Sequence, residues 1–210
     1  MTQPAVDHTE SPHQTPQIVC VVLRYDPYPP PPWEDGEEPC RCVSRPHRHL
    51  TLWGEELATS DLDVVRAAME AREPVAVLPV YGYSHGGVTI STTPFGCRWD
   101  SWQAGYVYLT QADLDATHGG AVRSDGADQP GDATETPAAR AARPSAEDLL
   151  RTSVALWDQY VRGEVWCAHA LDARGHRVDA VYGIYGGADD AARVAADQWG
   201  LDPSCVTVAE

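Results

Sequence analysis

VWCAHALDARGHRVDAVYGIY, residues 165–185, is the stretch that decides the fold class. Its two arms, 165–171 and 177–185, are rich in β-branched and aromatic residues and flank Asp172-Ala173-Arg174-Gly175, a turn-forming tetrad. Val178, Ala180, Tyr182 and Ile184 alternate along the second arm, as one face of a strand requires. Gly186-Gly187 then turns the chain into a helix over 188–199, which Gly200 stops. Residues 206–208 add a last edge strand.

The same grammar extends toward the N-terminus. Residues 18–25 (IVCVVLRY) form a buried strand, and 26–39 with its PYPPPP run is an extended loop. Residues 40–53 form a short hairpin or edge strand. A helix spans 60–72, with Ser60 as cap, Asp63 at the box position and Leu62, Val65 and Met69 on one face. Pro74 ends it, and strands follow at 75–81, 88–91 and 105–109. Thr110 caps a short helix with Asp113 at its box position. Ser145 caps a longer one through Val161, with Leu150, Val154, Trp157 and Val161 in one stripe and Gly163 just past its end. Consecutive strands and hairpins define an α+β fold: a mainly antiparallel sheet with about three to four helices packed on one face. Residues 17–117 and 145–210 make one domain. Residues 1–16 read as a disordered tail, and 118–144, rich in Gly, Ala, Asp and Pro, as a disordered insertion or linker.

Composition bounds the function. The chain has 210 residues, 43% of them hydrophobic, enough for a real core. No apolar run approaches the ~20 residues of a membrane span. The first residues lack the basic and apolar regions of a signal peptide, so a cytoplasmic location is expected. Fifteen Arg and no Lys face 31 acidic residues, for a net charge of −16. Lys and Asn are absent and Phe and Ile scarce, which fits a GC-rich bacterial or phage gene; a halophilic protein is the other reading. So negative a chain is unsuited to direct nucleic-acid contact, because phosphate neutralisation needs Lys and Arg. It suits a basic protein partner, or serves solubility alone. The six cysteines include no Cys-x-x-Cys pair, and without a secretion signal disulfides are not expected.

Three constellations carry polar chemistry. In residues 81–103, Tyr83-Ser84-His85-Gly86-Gly87 is a turn between strands, Ser91-Thr92-Thr93-Pro94 lines up hydroxyls, and Cys97-Arg98-Trp99-Asp100-Ser101-Trp102-Gln103 gathers a thiol, a carboxylate, a guanidinium and two indoles in one loop. A small hydrolase would use Cys97 or Ser91 as nucleophile, His85 as base and Asp100 as orienter. The order matches no nucleophile elbow, and the same residues would equally cap loops and plug the core. A binding surface of Tyr83, His85, Ser91, Thr92, Thr93, Trp99, Asp100, Ser101, Trp102 and Gln103, joined by Asp158 and Tyr185, is the broader expectation. Second, Cys40-x-Cys42 and His47-x-His49 place two sulfurs and two nitrogens where a hairpin could converge them on zinc, or stand as incidental surface residues. Third, Trp157-Asp158-Gln159-Tyr160 puts Asp158 and Gln159 on an outer helix face, solvated or turned toward the 85–100 loops.

At these places the chain resembles a family of phage- and plasmid-encoded proteins with a Tyr-Asp-His-Ser-Gly-x-Thr-x-Ser-Thr-x-Pro-Phe-x-Cys-Pro-Trp-Asp-Ser-Gly-Gln-Val-Gly segment. Here it stands as residues 83–105, and residues 157–166 and 182–186 resemble two further family stretches. Ser84 and Gly86 replace the family's Asp and Ser around the His, and Trp102 replaces a Gly. The resemblance implies a setting rather than a reaction: an accessory protein of a mobile element, cytoplasmic, acting by binding a host or element protein. A small hydrolase or a small-molecule sponge is the alternative. The Ser84 departure moves weight from acid–base work by His85 toward recognition at residues 94–103. Oligomeric state is not legible in the sequence.

Overall fold

The computed structural model describes residues 17–34, 39–48, 50–117 and 144–209. The expected tail at 1–16, the insertion at 118–143 and His49 lie outside these residues. Among the described residues are nine strands and four α-helices, arranged as α+β in two mostly antiparallel sheets rather than one.

The first sheet joins the two ends of the chain. β1 (Cys20–Tyr25) lies between β7 (Trp166–Leu171), antiparallel, and β9 (Val206–Val208), parallel, with β8 (Arg177–Ile184) beyond β7. Val21, Leu23, Trp166, Ala168 and Ile184 point to one face and are buried under Ala191 and Ala195 of α4 (Ala188–Trp199). α4 starts at Gly187 without a side-chain cap. Asp189 and Asp190 in its first turn complement the helix dipole, and Gly200 ends it in the left-handed region. The expected alternation along β8 breaks near its end. Val181 and Ile184 join the core cluster while Tyr182 is 51% exposed, because the β7–β8 register shifts and Gly183 takes a positive φ of 67°.

The second sheet has the order β3-β2-β6-β4-β5: β3 (Glu55–Glu56), β2 (Arg41–Ser44), β6 (Ser101–Leu109), β4 (Ala76–Ser84) and β5 (Val88–Ser91). Helices cover both of its faces, not one. Tyr108 and Val43 meet Val65 and Met69 of α1 (Leu62–Glu70) on one side. Val107, Leu109, Val80, Ile90 and Cys42 meet Leu150, Val154 and Trp157 of α3 (Ala146–Arg162) on the other. Each such fully buried side chain contributes roughly 1.5–3 kcal/mol, which is what seats α3. Gly105 leaves room for β2 against β6; a Cβ there would lie 2.2 Å from the Val43 carbonyl oxygen.

The helix starts follow local chemistry. Thr110 and Asp113 close a capping box on α2 (Gln111–Ala116), and Ser145 and Asp148 close one on α3. α1 is capped by Asp61, whose carboxylate accepts from the Asp63 amide at 2.9 Å, and not by Ser60. No helix among the described residues is long and apolar enough to cross a membrane.

Candidate functional site

β4 and β5 form a hairpin whose tip is His85-Gly86-Gly87. The His85 amide donates to the Gly87 carbonyl at 3.1 Å, and Gly86 sits at φ 75°, which a residue without Cβ adopts freely. Beside it, residues 97–100 run into β6. This strand begins at Ser101, so Ser101, Trp102 and Gln103 are strand residues, not the loop residues expected. The Ser84 amide donates to the Asp100 carbonyl at 2.9 Å, and the Ser101 hydroxyl bonds the Cys97 carbonyl. Hairpin tip and loop are thereby one unit.

The three residues considered for catalysis do meet. Asp100 Oδ2 lies 3.3 Å from His85 Nδ1 and accepts the Cys97 thiol at 3.5 Å. The carboxylate occupies the centre, with thiol and imidazole on the same oxygen. A nucleophile–base–orienter relay would set the imidazole in that place, whereas here one carboxylate oxygen ties thiol and imidazole together. Its effect is to hold the 97–101 turn closed.

That turn displays Trp99, 90% exposed. The ring of Tyr83 lies 5.5 Å from that of Phe95 and 6.3 Å from that of His85. Ser91 accepts from the Thr93 amide at 3.0 Å, which bends residues 91–94 outward, Thr93 exposed and Thr92 half-buried. Trp102 does the opposite of Trp99. Its indole lies flat on His47 (centroids 3.7 Å, 14° between planes) and over Gly82, where a Cβ would come 2.3 Å from the indole Cζ2. Gln103 supplies its carbonyl to the Arg45 Nε at 2.9 Å.

Two clefts flank the hairpin tip. One, about 320 Å³, lies between Arg45, His47 and Arg48 on one wall and Trp99, Asp100 and Trp102 on the other. The second, about 450 Å³, lies between Tyr83, His85 and Thr89 and the end of α3 at Val161 and Arg162. The 83–103 and 157–166 segments thus share walls. Asp158, at the back of a neighbouring cleft of about 350 Å³, clasps the edge strand: its Oδ1 accepts from Thr89 Oγ1 at 2.6 Å and from the Ile90 amide at 2.7 Å. Residues 182–187 join through Gly186, whose amide donates to Gln159 Oε1 at 2.8 Å and whose carbonyl accepts from Trp166 Nε1 at 3.1 Å, and through the Trp166↔Ile184 pairing. Tyr185 points away, its hydroxyl donating to the Pro30 carbonyl at 2.6 Å. Burial, then the neighbouring Tyr160 and Asp26, push its pKa up, so it stays a neutral donor that pins the proline loop.

The donors considered for zinc do not converge. Cys40 and Cys42 are 3% and 1% exposed and belong to the core under α3, and Cys40 Sγ accepts from Ser153 Oγ at 3.1 Å. Burial pushes the Cys42 thiol pKa far up, away from the thiolate a metal requires. His47 turns to Trp102 instead, and His49 lies outside the described residues. No group of three or more His, Cys, Asp or Glu among the described residues is placed to hold a metal. Cys-x-Cys put both sulfurs on one face as the strand period dictates, but that face is the core.

Sequence reading passed over the open face of the first sheet, where Arg24, Cys167, His169, Arg177 and Tyr182 line a cleft. The missed signal was the 24/167/169 alternation opposite the buried Leu23, Trp166 and Ala168. Comparison with protein-family models, with curated proteins and with solved structures finds no match to this chain.

Proposed function

We propose that the protein is a non-catalytic accessory protein of a phage or plasmid, working in the cytoplasm by docking on a host or element-encoded protein through residues 83–103. The observation that carries this reading is Trp99, an indole 90% exposed on a turn tied down through Asp100, Cys97, Ser101 and Ser84. Trp dominates interface hot spots, and an anchor already held in place loses little freedom on binding. The net charge of −16 steers the encounter toward a basic partner.

The test is capture from host lysate with the tagged full chain. One stoichiometric partner is expected, its affinity falling by roughly 30-fold or more in Trp99→Ala, the loss of about 2 kcal/mol expected of a hot spot. Thermal stability should not change, since the indole packs on little. If the partner remains bound to both Trp99→Ala and Asp100→Ala, the surface is misassigned. Ester or thioester hydrolysis that vanishes in His85→Ala and survives in Trp99→Ala would instead establish the hydrolase reading.

A further inference from the structure

The four-stranded sheet has a second face, opposite α4. Because Leu23, Trp166 and Ala168 point into the core, Arg24, Cys167 and His169 point the other way. The antiparallel register sets Arg24 against Cys167 and Val22 against His169. From β8, Tyr182 meets the His169 ring edge to face, centroids 6.1 Å apart, and Arg177 Nη1 donates to the Tyr182 hydroxyl at 3.2 Å. The chain leaving β1 raises a wall. Asp26, 6% exposed, accepts from the Tyr28 amide at 2.9 Å and the Gly183 amide at 3.2 Å, and so holds the 90%-exposed Tyr28 ring at the rim. The resulting cleft is about 530 Å³, within the usual range for small-molecule sites.

In a chain of net charge −16, this cleft is lined by two arginines against one carboxylate, the buried Asp26, whose oxygens are already taken by backbone amides. Arg24 and Arg177 are both exposed on it, and among the described residues neither is paired with a carboxylate. Burial, then Arg177 and Arg24, hold the His169 imidazole pKa below its ordinary value, so it is a neutral hydrogen-bonding group between two guanidinium groups at pH 7. Burial and then Asp26 push the Cys167 thiol pKa up, which makes it an inert floor and not a nucleophile. Paired guanidinium groups are the fitting recognition chemistry for a phosphate, and exposed tyrosine rings for a flat heterocycle.

We propose that this face binds a nucleoside monophosphate, with Arg24 and Arg177 on the phosphate, Tyr28 and Tyr182 against the base, and His169 hydrogen-bonding between them. A single nucleotide is favoured over a nucleic-acid strand because the cleft offers two arginines for one phosphate, while the chain's net charge of −16 disfavours a longer polyanion. The site is separate from the Trp99 surface, so neither assignment depends on the other.

Titration calorimetry on the full chain in low salt tests this with AMP, GMP, CMP and UMP, with adenosine and inorganic phosphate as the two halves and a ten-residue oligothymidylate as the strand. At least one monophosphate is expected to bind more tightly than either half. Arg24→Gln and Arg177→Gln should each weaken it roughly tenfold or more, as loss of a charge-assisted contact does, with melting temperatures unchanged. Tyr182→Leu should weaken the monophosphate while leaving inorganic phosphate unaffected. Absence of heat from all four monophosphates at about 2 mM, affinity unchanged in both arginine variants, or an oligothymidylate tighter than every monophosphate would each overturn the proposal.

Discussion

Asp158→Ala removes the acceptor of two hydrogen bonds at once. Thr89 Oγ1 at 2.6 Å and the Ile90 amide at 2.7 Å both donate to Oδ1. Ile90 is 3% exposed and lies on the edge strand β5, so its amide is left without a partner. Hydrogen bonds to a charged group contribute roughly 1.5–3 kcal/mol each, and with Asp158 partly solvated the pair is worth about 2–4 kcal/mol. The Arg162 contact at 3.5 Å is exposed and adds little. For a domain of this size each kcal/mol moves the midpoint by about 2–4 °C, so a fall of roughly 4–16 °C is expected. Asp158→Asn keeps an acceptor and should lose about half as much. Thermal unfolding by circular dichroism reads the midpoint, and hydrogen exchange should show the Ile90 amide exposed well before the centre of the sheet. A midpoint shift below about 2 °C with unchanged exchange at Ile90 would refute the clasp. A variant that stays fully stable but no longer captures a partner would return Asp158 to the binding surface that its sequence position suggests.

Gly82→Ala drives a methyl into the Trp102 indole, which should cost about 1–3 kcal/mol and disturb the stack on His47. Near-ultraviolet circular dichroism and the melting temperature check this, and an unaltered spectrum counts against the packing. Asp113 is buried, which raises its pKa, but the Arg41 and Thr110 hydrogen bonds outweigh burial and hold it below the ordinary value. Its contribution is therefore complete above the unfolded value of about 3.9 and lost as pH falls through the lower folded one. The difference in melting temperature between wild type and Asp113→Asn should be flat from neutral pH to about 5 and shrink below about 4; a difference that grows on acidification contradicts it. Cys20, Cys97 and Cys205 should react with a thiol reagent in the native protein, while Cys40, Cys42 and Cys167 should wait for unfolding. Zinc should leave the melting temperature unchanged, and a zinc-dependent rise would place the Cys40 and Cys42 sulfurs outside the core.

What the sequence made legible was local. The Thr110–Asp113 box, the Ser145 cap, the Gly86-Gly87 hairpin and the Asp172–Gly175 turn each depend on residues within a few positions of one another. What it hid was settled by distant partners. Ser101, Trp102 and Gln103 look like loop residues, but Tyr83, Gly82 and Tyr81 pair with them and extend β6 by four residues beyond the expected start at Gly105. Helices on both faces of the second sheet follow from Val43 and Cys42 each burying a side chain on opposite sides, a pattern too short to read in a four-residue strand. In the site, the meeting of His85, Cys97 and Asp100 follows from hairpin and loop proximity. That the carboxylate stands in the middle, that Asp158 holds β5 and that Tyr185 faces Pro30 are all tertiary facts.

β1 and β7, paired from Cys20↔Leu171 to Tyr25↔Trp166, are separated by about 140–150 residues. During synthesis β1 leaves the ribosome without its main partner. At about 5–20 residues per second it waits some 7–30 s while every strand of the second sheet is made. For that interval CVVLRY is an apolar segment with both edges open, the state most prone to pairing with other chains. The second sheet and α3 can assemble first, and the first sheet is completed last. A force-sensing arrest profile should therefore show one folding event soon after residue 162 and a second after β8. A single event at the end would mean the nascent chain folds only as a whole.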